Sequence, residues 1–467
     1  MTATLRGHAT VFVFLYAIAV VWHHTSSGNE VFWYWLHFDP VQTPAAIASI
    51  VSGLLAALYP RSLRLFLLFI SIQVLVVYTR LPHAPTHVVM EFFLGIAILL
   101  AMIRRLIKDS NTELSLDELY TDFAPVGRVL LVAMYFFGTF HKLNPGFMTL
   151  ESSCAIDFLV GLPLPESVLR AEFVQYASIY GVLVLEFIAM LLLFSSRTKY
   201  YGMALGIPFH IAIGISSYGS LAHFSAFAVA LHALFLPPEF FQRLRNSTII
   251  PRFAKSRASI QIFVIALIVA EVVCARLAAW STMNLIFFVF ATTFYGLVLC
   301  YGGAQPGQSS FSLLSRVKAL NALSVLFIIH CFGPYIGLST EGAVQMFSGL
   351  RTEGGVSNHY VIRKPIYLFP YQADVVEIAS AEHGFLKKLA KEEQGMVLTD
   401  FNRFLEYLEE PLVLPLTLRI NGQLIEVLDE SSAKQFEADW YEPLNYFERK
   451  FLIFRDVDSE HPKKCRH

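Results

Sequence analysis

Charged side chains are scarce in this sequence. They make up 15% of the 467 residues, whereas hydrophobic residues make up 55%. Soluble domains carry about 25% charged residues on average. A soluble core could not bury so much additional apolar surface, so we expect a lipid bilayer to cover it. The formal net charge of −1 gives no indication of a nucleic-acid partner.

The sequence also lacks the common motifs of nucleotide and hydrolase chemistry. It contains no Walker motif, no G-x-G-x-x-G after a strand, no G-x-S-x-G and no H-E-x-x-H. Its histidines lack the clustered spacing that is typical of a metal site, so the sequence predicts no metal. These absences argue against the usual nucleotide-dependent and hydrolytic enzymes.

Cysteines are few and scattered. None of the five belongs to a C-x-x-C motif. Cys274, Cys300 and Cys331 fall in apolar runs, where we expect small packing residues. Cys154 and Cys465 could face an oxidising compartment together, but nothing in the sequence pairs them.

Long apolar runs are the main feature of the first 336 residues. Eleven runs reach, or nearly reach, the ~20 residues that a helix needs to cross a bilayer. They occur at 9–23, 45–59, 63–78, 87–107, 126–142, 174–194, 201–216, 222–236, 260–279, 282–301 and 319–336. No small-residue cleavage site follows the first run, so we expect a span there and not a cleavable signal. The sequence predicts a polytopic all-α membrane domain of about eleven transmembrane helices over residues 1–336.

Basic residues are unequally distributed between alternating loops. Cytoplasmic loops of membrane proteins carry an excess of Lys and Arg. One set of loops carries Arg6, Arg61, Arg64, Arg104, Arg105, Lys108, Arg197, Lys199, Arg243, Arg245, Arg252, Lys255, Arg257, Arg316 and Lys318. The opposite set carries little beyond Arg80, Lys142 and Arg170. We therefore predict a multi-pass protein of the cell membrane, with a cytoplasmic N terminus and everything after about 337 outside.

After residue 337 the composition becomes that of a soluble domain. Residues 399–410 have apolar positions on one face and are expected to form a short amphipathic helix. The chain over 337–467 is therefore predicted to be a small extramembrane α+β domain.

A hairpin is the strongest local signal in that domain. Asn421-Gly422 lies between two strand-like runs, and this dipeptide suits the φ > 0 positions of a type I′ turn. In that register Leu418 opposes Ile425 and Leu416 opposes Val427, which gives the hairpin one apolar face.

Ionisable residues inside apolar spans are costly and usually face a partner or a cavity. Such residues here are Glu91, Lys142, Glu186, His210, His223, His232, Glu271, Arg276 and His330, with His87 at a span entrance. Glu271 and Arg276 are five residues apart, so a structural ion pair is one interpretation. His223, His232 and His330 are expected to be hydrogen-bonded interior groups and not catalysts.

Lys142 ends an aromatic span at its predicted external boundary. A lysine at this depth can extend its amine to water, which would be a structural role. Partial burial could instead favour a neutral amine that acts as a general base. His210 also has a structural and a functional interpretation. Pro208, two residues before it, could mark either a simple kink or a kink beside a cavity.

Two stretches resemble one known family. The run Phe140-His-Lys-Leu-Asn-Pro-Gly-Phe147 resembles the motif of the vitamin K-dependent γ-carboxylase-like superfamily, also called the horizontally transferred transmembrane (HTTM) family. In that motif an aromatic helix runs into Lys-Leu-Asn or Lys-Leu-Asp, followed by an aromatic residue. The run Leu350–His359, with 337–341 and 346–348 before it, is similar to the signature of the bacterial branch. The resemblance covers residues 10 to 380 and is specific at these two places.

The resemblance implies an enzyme that carboxylates polypeptides. In the family, a lysine at the position of Lys142 deprotonates reduced vitamin K, and the quinol then reacts with O2. The strong base that results removes a γ-proton from a substrate Glu, CO2 adds, and the quinone leaves as an epoxide. Lys142 and His210 are thus the expected catalytic residues, and His87, His141 and Phe140 the expected contacts of vitamin K hydroquinone or menaquinol. The implied partners are a secreted or periplasmic polypeptide substrate and membrane lipid.

Two positions depart from the family pattern. Ile213 stands where the family has an Asn three residues after the His, and Thr86 stands where an Asn precedes His87. Neither replacement offers the hydrogen bonds of an amide. A non-enzymatic membrane scaffold, or a maturation or export factor for secreted peptides, is therefore the alternative function. A transporter is a third, which is less favoured because corresponding halves show no paired interrupted helices.

Four residues of the bacterial signature have no chemical role that we can assign. They are Arg351, Glu353, Asn358 and His359. We expect them to order the C-terminal domain against the membrane.

Overall fold

The computed structural model of the protein describes residues 7–26, 42–108, 114–218, 221–237, 239–248, 257–276, 280–303, 311–408, 413–458 and 465. Helices form most of the chain before residue 337, and within these ranges strands begin only at Val375. The helices in chain order are α1 His8–Ser26, α2 Gln42–Leu58, α3 Leu63–Arg80, α4 Thr86–Lys108, α5 Leu116–His141, α6 Pro145–Met148, α7 Cys154–Val160, α8 Glu166–Leu169, α9 Glu172–Leu193, α10 Lys199–Ile215, α11 Ala222–His232, α12 Phe240–Asn246, α13 Arg257–Arg276, α14 Trp280–Tyr301, α15 Lys318–Cys331, α16 Gly333–Ile336, α17 Gly384–Lys391, α18 Leu398–Glu406, α19 Glu430–Trp440 and α20 Tyr446–Phe451.

Six helices in the described ranges are long and apolar enough to cross a membrane. They are α3, α4, α5, α9 and the segments His8–Thr25 of α1 and Asn284–Tyr301 of α14. The number rises to seven if the segment Ala222–Phe235, which includes α11, and the helix α12 form one span with a strong bend between them. Each of the eleven predicted runs coincides with a helix, but several are too short. The helix α15 has 14 residues, and at about 1.5 Å per residue it is shorter than the ~30 Å hydrocarbon layer. The structure is thus compatible with a multi-pass membrane protein, and within the described residues six or seven of the eleven predicted spans are long and apolar enough to cross a membrane.

The chain divides into two compact units. The first comprises residues 1–79, 87–136 and 156–327, and the second comprises residues 80–86, 137–155 and 328–467. Residues 80–86 and 137–155, the latter with the end of α5 and all of α6, thus group with the C-terminal chain, whereas the sequence suggested a boundary at 336. Within the second unit, the Tyr360 N–H donates to the Leu143 carbonyl at 2.9 Å, and the Lys450 amine donates to the Leu81 carbonyl at 3.3 Å.

The first unit has α1 in its interior. Phe12 and Tyr16 are completely buried, and Tyr16 packs against Phe69 and Phe227 with ring centroids 5.6 and 5.8 Å apart. A helix that is apolar on all sides is normally covered on all sides. The buried α1 therefore carries the two histidines at its C-terminal end, His23 and His24, into the protein interior.

The second unit contains a five-stranded antiparallel sheet in the order β4-β3-β1-β2-β5. Its strands are β1 Val375–Ala381, β2 Gln394–Val397, β3 Leu416–Ile420, β4 Gln423–Val427 and β5 Val457–Asp458. The predicted hairpin is confirmed, because Leu418 pairs with Ile425 and Leu416 with Val427.

The predicted amphipathic helix is also present. It is α18, which ends at Glu406 and therefore four residues before the predicted end. Phe401 is completely buried and packs with Phe436 in the core of the domain, whereas Leu408 lies beyond the helix. The small α+β fold of this part of the chain is as predicted.

A disulfide bond joins Cys154 to Cys465 within the second unit. The sequence could place both residues on one side of the membrane but could not pair them. Cys331 is buried, as expected of a packing residue, but Cys300 is exposed on α14 and does not fit that expectation. The side chains of Cys274, Glu271 and Arg276 lie outside the described residues, so the predicted Glu271–Arg276 ion pair stays a prediction.

The hairpin turn gives a direct test of this fold. Gly422 has φ = +85° and no neighbour near an added Cβ, so Gly422→Ala introduces backbone strain without a clash. We expect a loss of about 1 kcal/mol in the free energy of unfolding of the domain. Gly384→Ala is the matched control, because an added Cβ is also unobstructed there but no positive φ is required. Chemical denaturation of both variants checks this, and equal stability would contradict the turn geometry.

Candidate functional site

The C-terminal end of α5 is held by the motif that follows it. Asn144 is buried, and its amide donates to the carbonyl of His141 at 2.7 Å and to that of Ser348 at 2.8 Å. Its side-chain oxygen accepts the N–H of Phe147 at 3.0 Å and so caps α6. Asn at the N-cap and Pro at the next position are favoured for this geometry. The Asn-Pro-Gly of the motif thus ends one helix and starts the next.

His359 ties the second motif to the same helix end. Its Nε2–H donates to the carbonyl of Phe140 at 2.8 Å, while Nδ1 accepts the N–H groups of Val361 at 3.1 Å and Ile362 at 3.0 Å. All three bonds require the neutral ring with its proton on Nε2. Burial lowers the pKa of His359 below its ordinary value of 6.5, although the bond to the Phe140 carbonyl opposes this shift.

Gly349 lies against the first motif stretch, and Asn358 holds the backbone around Gly349 and Arg351. The Asn358 amide donates to the Gly349 carbonyl at 2.8 Å and its oxygen accepts the Arg351 N–H at 2.8 Å. Gly349 has φ = +62°, and a Cβ there would lie 2.9 Å from the carbonyl carbon of Gly146. The two stretches that carry the family resemblance therefore pack against each other, backbone to backbone.

Aromatic rings surround His141. Phe137 lies 5.4 Å and Tyr335 5.5 Å from its ring, measured between centroids, and Phe140 lies at 6.2 Å. Tyr335 also packs against the rings of Phe140 and His359. The result is a buried aromatic cluster at the end of α5.

His141 has one nitrogen available inside this cluster. Its Nδ1–H donates to the carbonyl of Val344 at 3.2 Å, so Nε2 is an acceptor in the neutral ring. Nε2 is buried and finds no hydrogen-bond partner among the described residues, and the same is true of the Tyr335 hydroxyl. Val344 has φ = +61°, which is rare for a β-branched residue. Such strain often accompanies functional sites.

Lys142 directly follows this histidine and is 7% exposed. Its Nζ lies 5.6 Å from the ring centroid of Phe147, within range of a cation–π contact. The side chain is therefore packed against the protein, which differs from a lysine that extends its amine to water.

His87 and His210 belong to the first unit. His87 Nε2 lies 3.4 Å from His23 Nδ1, and its ring centroid is 4.7 Å from that of His223. The His210 ring packs against Phe224 at 5.4 Å, and Phe224 contacts His87 at 5.9 Å. The predicted site residues thus fall into two groups, with Phe140, His141 and Lys142 in the second unit.

Other polar residues of the spans are interior hydrogen-bonding groups. The Nδ1–H of His232 donates to the Ala228 carbonyl at 2.7 Å, and its Nε2 accepts from the Tyr135 hydroxyl at 3.2 Å. Gly206 leaves the space for this pair, because a Cβ there would lie 2.4 Å from the Tyr135 oxygen. His330 donates to the Gly342 carbonyl at 3.1 Å. The expected interior hydrogen bonds of His232 and His330 are therefore confirmed.

Sequence reasoning missed three residues of these groups. Neither Tyr335 nor Val344 belongs to a motif that the sequence analysis could recognise. Only the fold brings them to His141. His23 had a signal, since it belongs to a histidine pair at the end of the first apolar run.

Comparison with protein-family models, with curated proteins and with solved structures gives no match for this chain. The resemblance to the HTTM family therefore depends on the two motif stretches, and the roles it implies are proposals.

The contact between the two motif stretches predicts that alanine substitution destabilises the protein to different extents at two glycines. Gly349→Ala adds a clash with the backbone of Gly146 to the strain of a positive φ, and we expect a loss of about 2 to 4 kcal/mol in stability. Gly355→Ala is the matched control, because its φ is +76° but an added Cβ meets nothing, so about 1 kcal/mol is expected. Thermal unfolding of the full chain in detergent tests this order. Equal losses would contradict the close approach.

The His359 contacts predict a pH dependence. The folded state disfavours the protonated ring of His359. The stability that the neutral ring contributes is therefore complete above pH 6.5 and is lost as the pH falls toward the lowered pKa. The wild type should therefore lose more thermal stability than His359→Gln between about pH 7.5 and about pH 5.5. Parallel stability profiles of the two proteins would show that His359 does not titrate in this way.

Proposed function

We propose that this protein is a membrane-embedded enzyme of the γ-carboxylase type and a member of the HTTM family. It would use a quinol and O2 to carboxylate Glu residues, or to make a related modification, in a secreted or periplasmic polypeptide. The observation that carries the proposal is the buried acceptor nitrogen of His141, directly before Lys142 and among aromatic rings.

The residues around His141 fit vitamin K hydroquinone or menaquinol. The rings of Phe137, Phe140 and Tyr335 offer apolar faces and edges on which a planar ring can pack. The His141 Nε2 accepts a hydrogen bond, which complements a quinol O–H, and the Tyr335 hydroxyl can bind the same oxygen or the second one. A mostly apolar site with few polar groups is typical of small-molecule binding.

Lys142 is the proposed base. Its amine lies against Phe147 and is shielded from bulk water, and a neutral amine there can take the proton of a quinol hydroxyl. The bound quinol would supply the electrons for O2 and the strong base that acts on the substrate Glu, with CO2 as the carbon source. His141 would orient the quinol so that the proton to be removed faces the amine.

His210 and His87 enter the proposal through the family resemblance. By that resemblance His210 is a proposed catalytic residue, and His87 is a proposed quinol-binding residue. Both rings lie in an aromatic environment of the first unit, next to Phe224.

The proposed topology has eleven spans, a cytoplasmic N terminus and an external C-terminal domain. The Cys154–Cys465 bond supports this arrangement, because disulfides persist in oxidising compartments and are rare in the cytoplasm. The basic loops independently put the loop that contains Cys154 and the chain after 337 on the same outer side.

A second function is favoured by a different observation. Asn144, Asn358 and His359 all direct their polar groups to the backbone, as residues of a structural element do. A non-enzymatic scaffold, or a maturation or export factor for secreted peptides, would need only this ordered surface. It would bind its polypeptide without a quinol.

Two variants of Lys142 separate these functions. Lys142→Arg keeps a cation over Phe147 but cannot act as a neutral base, and Lys142→Met keeps the length without the charge. We expect the wild type in liposomes with reduced vitamin K or menaquinol and O2 to form the epoxide, and both variants to lose at least about 100-fold in rate.

The control is Lys199→Met, which changes another buried lysine, one that lies over Phe311 in the first unit. Lys199→Met should retain epoxide formation. Full activity of Lys142→Arg would contradict the role of the base. Absence of epoxide from the wild type with either quinol, together with polypeptide binding that survives in Lys142→Met, would favour the non-enzymatic function.

A further inference from the structure

We propose that His23, His87 and His223 form a binding site for a divalent transition-metal ion, with Zn²⁺ as the ion we expect. Each residue offers one ring nitrogen, and the three nitrogens lie within 4.8 Å of one another. The ring centroids are 5.3 Å apart for His23 and His87, 5.0 Å for His23 and His223, and 4.7 Å for His87 and His223. One ion can therefore reach all three imidazoles with small side-chain adjustments.

Three different helices supply these residues. His23 lies near the C-terminal end of α1, whereas His87 and His223 lie in the first turns of α4 and α11. Side chains on packed helices are positioned more firmly than those on loops, which favours a defined coordination geometry. All three residues belong to the first unit, so the site does not depend on the second.

Burial distinguishes this cluster from a surface group of histidines. His23 is 4% and His87 3% exposed, and the ring of His24 contacts that of His23. Adding protons to several adjacent buried rings would bring like charges together away from water, which is unfavourable. Neutral rings can form only some of the possible hydrogen bonds to one another, because each ring carries one N–H donor and one acceptor lone pair. A cation that accepts one lone pair from each ring would give the three nitrogens a common partner.

A buried carboxylate in the same helix can offset the charge of the ion. Glu91 follows His87 by four residues, lies on the same face of α4 and is 1% exposed. Its Oε2 accepts a hydrogen bond from the Gln73 amide at 2.9 Å, and the Gln73 oxygen accepts one from the Ser49 hydroxyl at 3.1 Å. Such outer groups are common around metal sites and tune their affinity.

The donor set indicates the class of metal. Imidazole suits Zn²⁺, Cu²⁺, Fe²⁺ and Ni²⁺, whereas Mg²⁺ and Ca²⁺ prefer oxygen ligands. Three histidines leave a fourth position open, which is the ligand arrangement of a reactive zinc site and not of a closed structural one.

Metal analysis of the purified full chain tests the proposal. After incubation with Zn²⁺ and removal of weakly bound ion, the wild type should retain about one equivalent, and His23→Ala, His87→Gln and His223→Ala should each retain less than about a tenth. His232→Gln is the matched control. It changes a buried histidine of α11, the helix that also carries His223, and both nitrogens of His232 are already hydrogen-bonded. It should bind as much Zn²⁺ as the wild type.

A spectroscopic measurement makes the test independent of variant folding. Wild type loaded with Cu²⁺ should show nitrogen couplings from three imidazoles in pulsed electron paramagnetic resonance. Zn²⁺ binding that is equal in the His87→Gln and wild-type proteins, or a wild type that retains no metal, would overturn the site. Because Lys142 is not involved, the Lys142→Met protein should bind Zn²⁺ normally, and this result separates the metal site from the proposed carboxylase chemistry.

Discussion

The main-chain carbonyls at the end of α5 are the constraint on which the second unit depends. The last carbonyls of a helix have no partner within the helix, and inside a protein they must find one elsewhere. Here His359 bonds to the carbonyl of Phe140, and Asn144 bonds to that of His141. Tyr360 bonds to the Leu143 carbonyl just beyond the helix. The segment after residue 350 is therefore fixed where α5 ends.

This arrangement also determines which groups stay available for chemistry. The polar atoms of Asn144 and His359 are used to hold the backbone, while the carbonyl of Val344 takes up only one nitrogen of His141. The loop from 342 to 349 adopts left-handed backbone conformations at four positions, two of which are not glycine. Left-handed conformations are unfavourable at residues other than glycine, so we infer that the shape of this loop has a specific role. The effect that is best defined is that the Val344 carbonyl sets the tautomer of His141.

Some of the fold follows directly from the sequence, and the reasons are local. Asn421-Gly422 defines a turn, and the turn defines the pairing of Leu418 with Ile425. The apolar runs predict helices well but do not predict their ends, because hydropathy does not reveal where a helix bends or stops, as α15 does at Cys331. The aromatic helix and the lysine after it could be recognised as a motif, whereas Tyr335 came to the site only through the fold. His23, His87 and His223 are separated by 64 and 136 residues, so no spacing rule could bring them together.

The disulfide has a consequence for how the chain is made. Cys154 precedes its partner by 311 residues, and two candidate spans, α9 and α14, are synthesised between them. Cys154 therefore cannot form this bond until Cys465 has been synthesised, and its thiol can meet oxidants and other thiols during that time. A chain that contains the bond has been translated at least through Cys465.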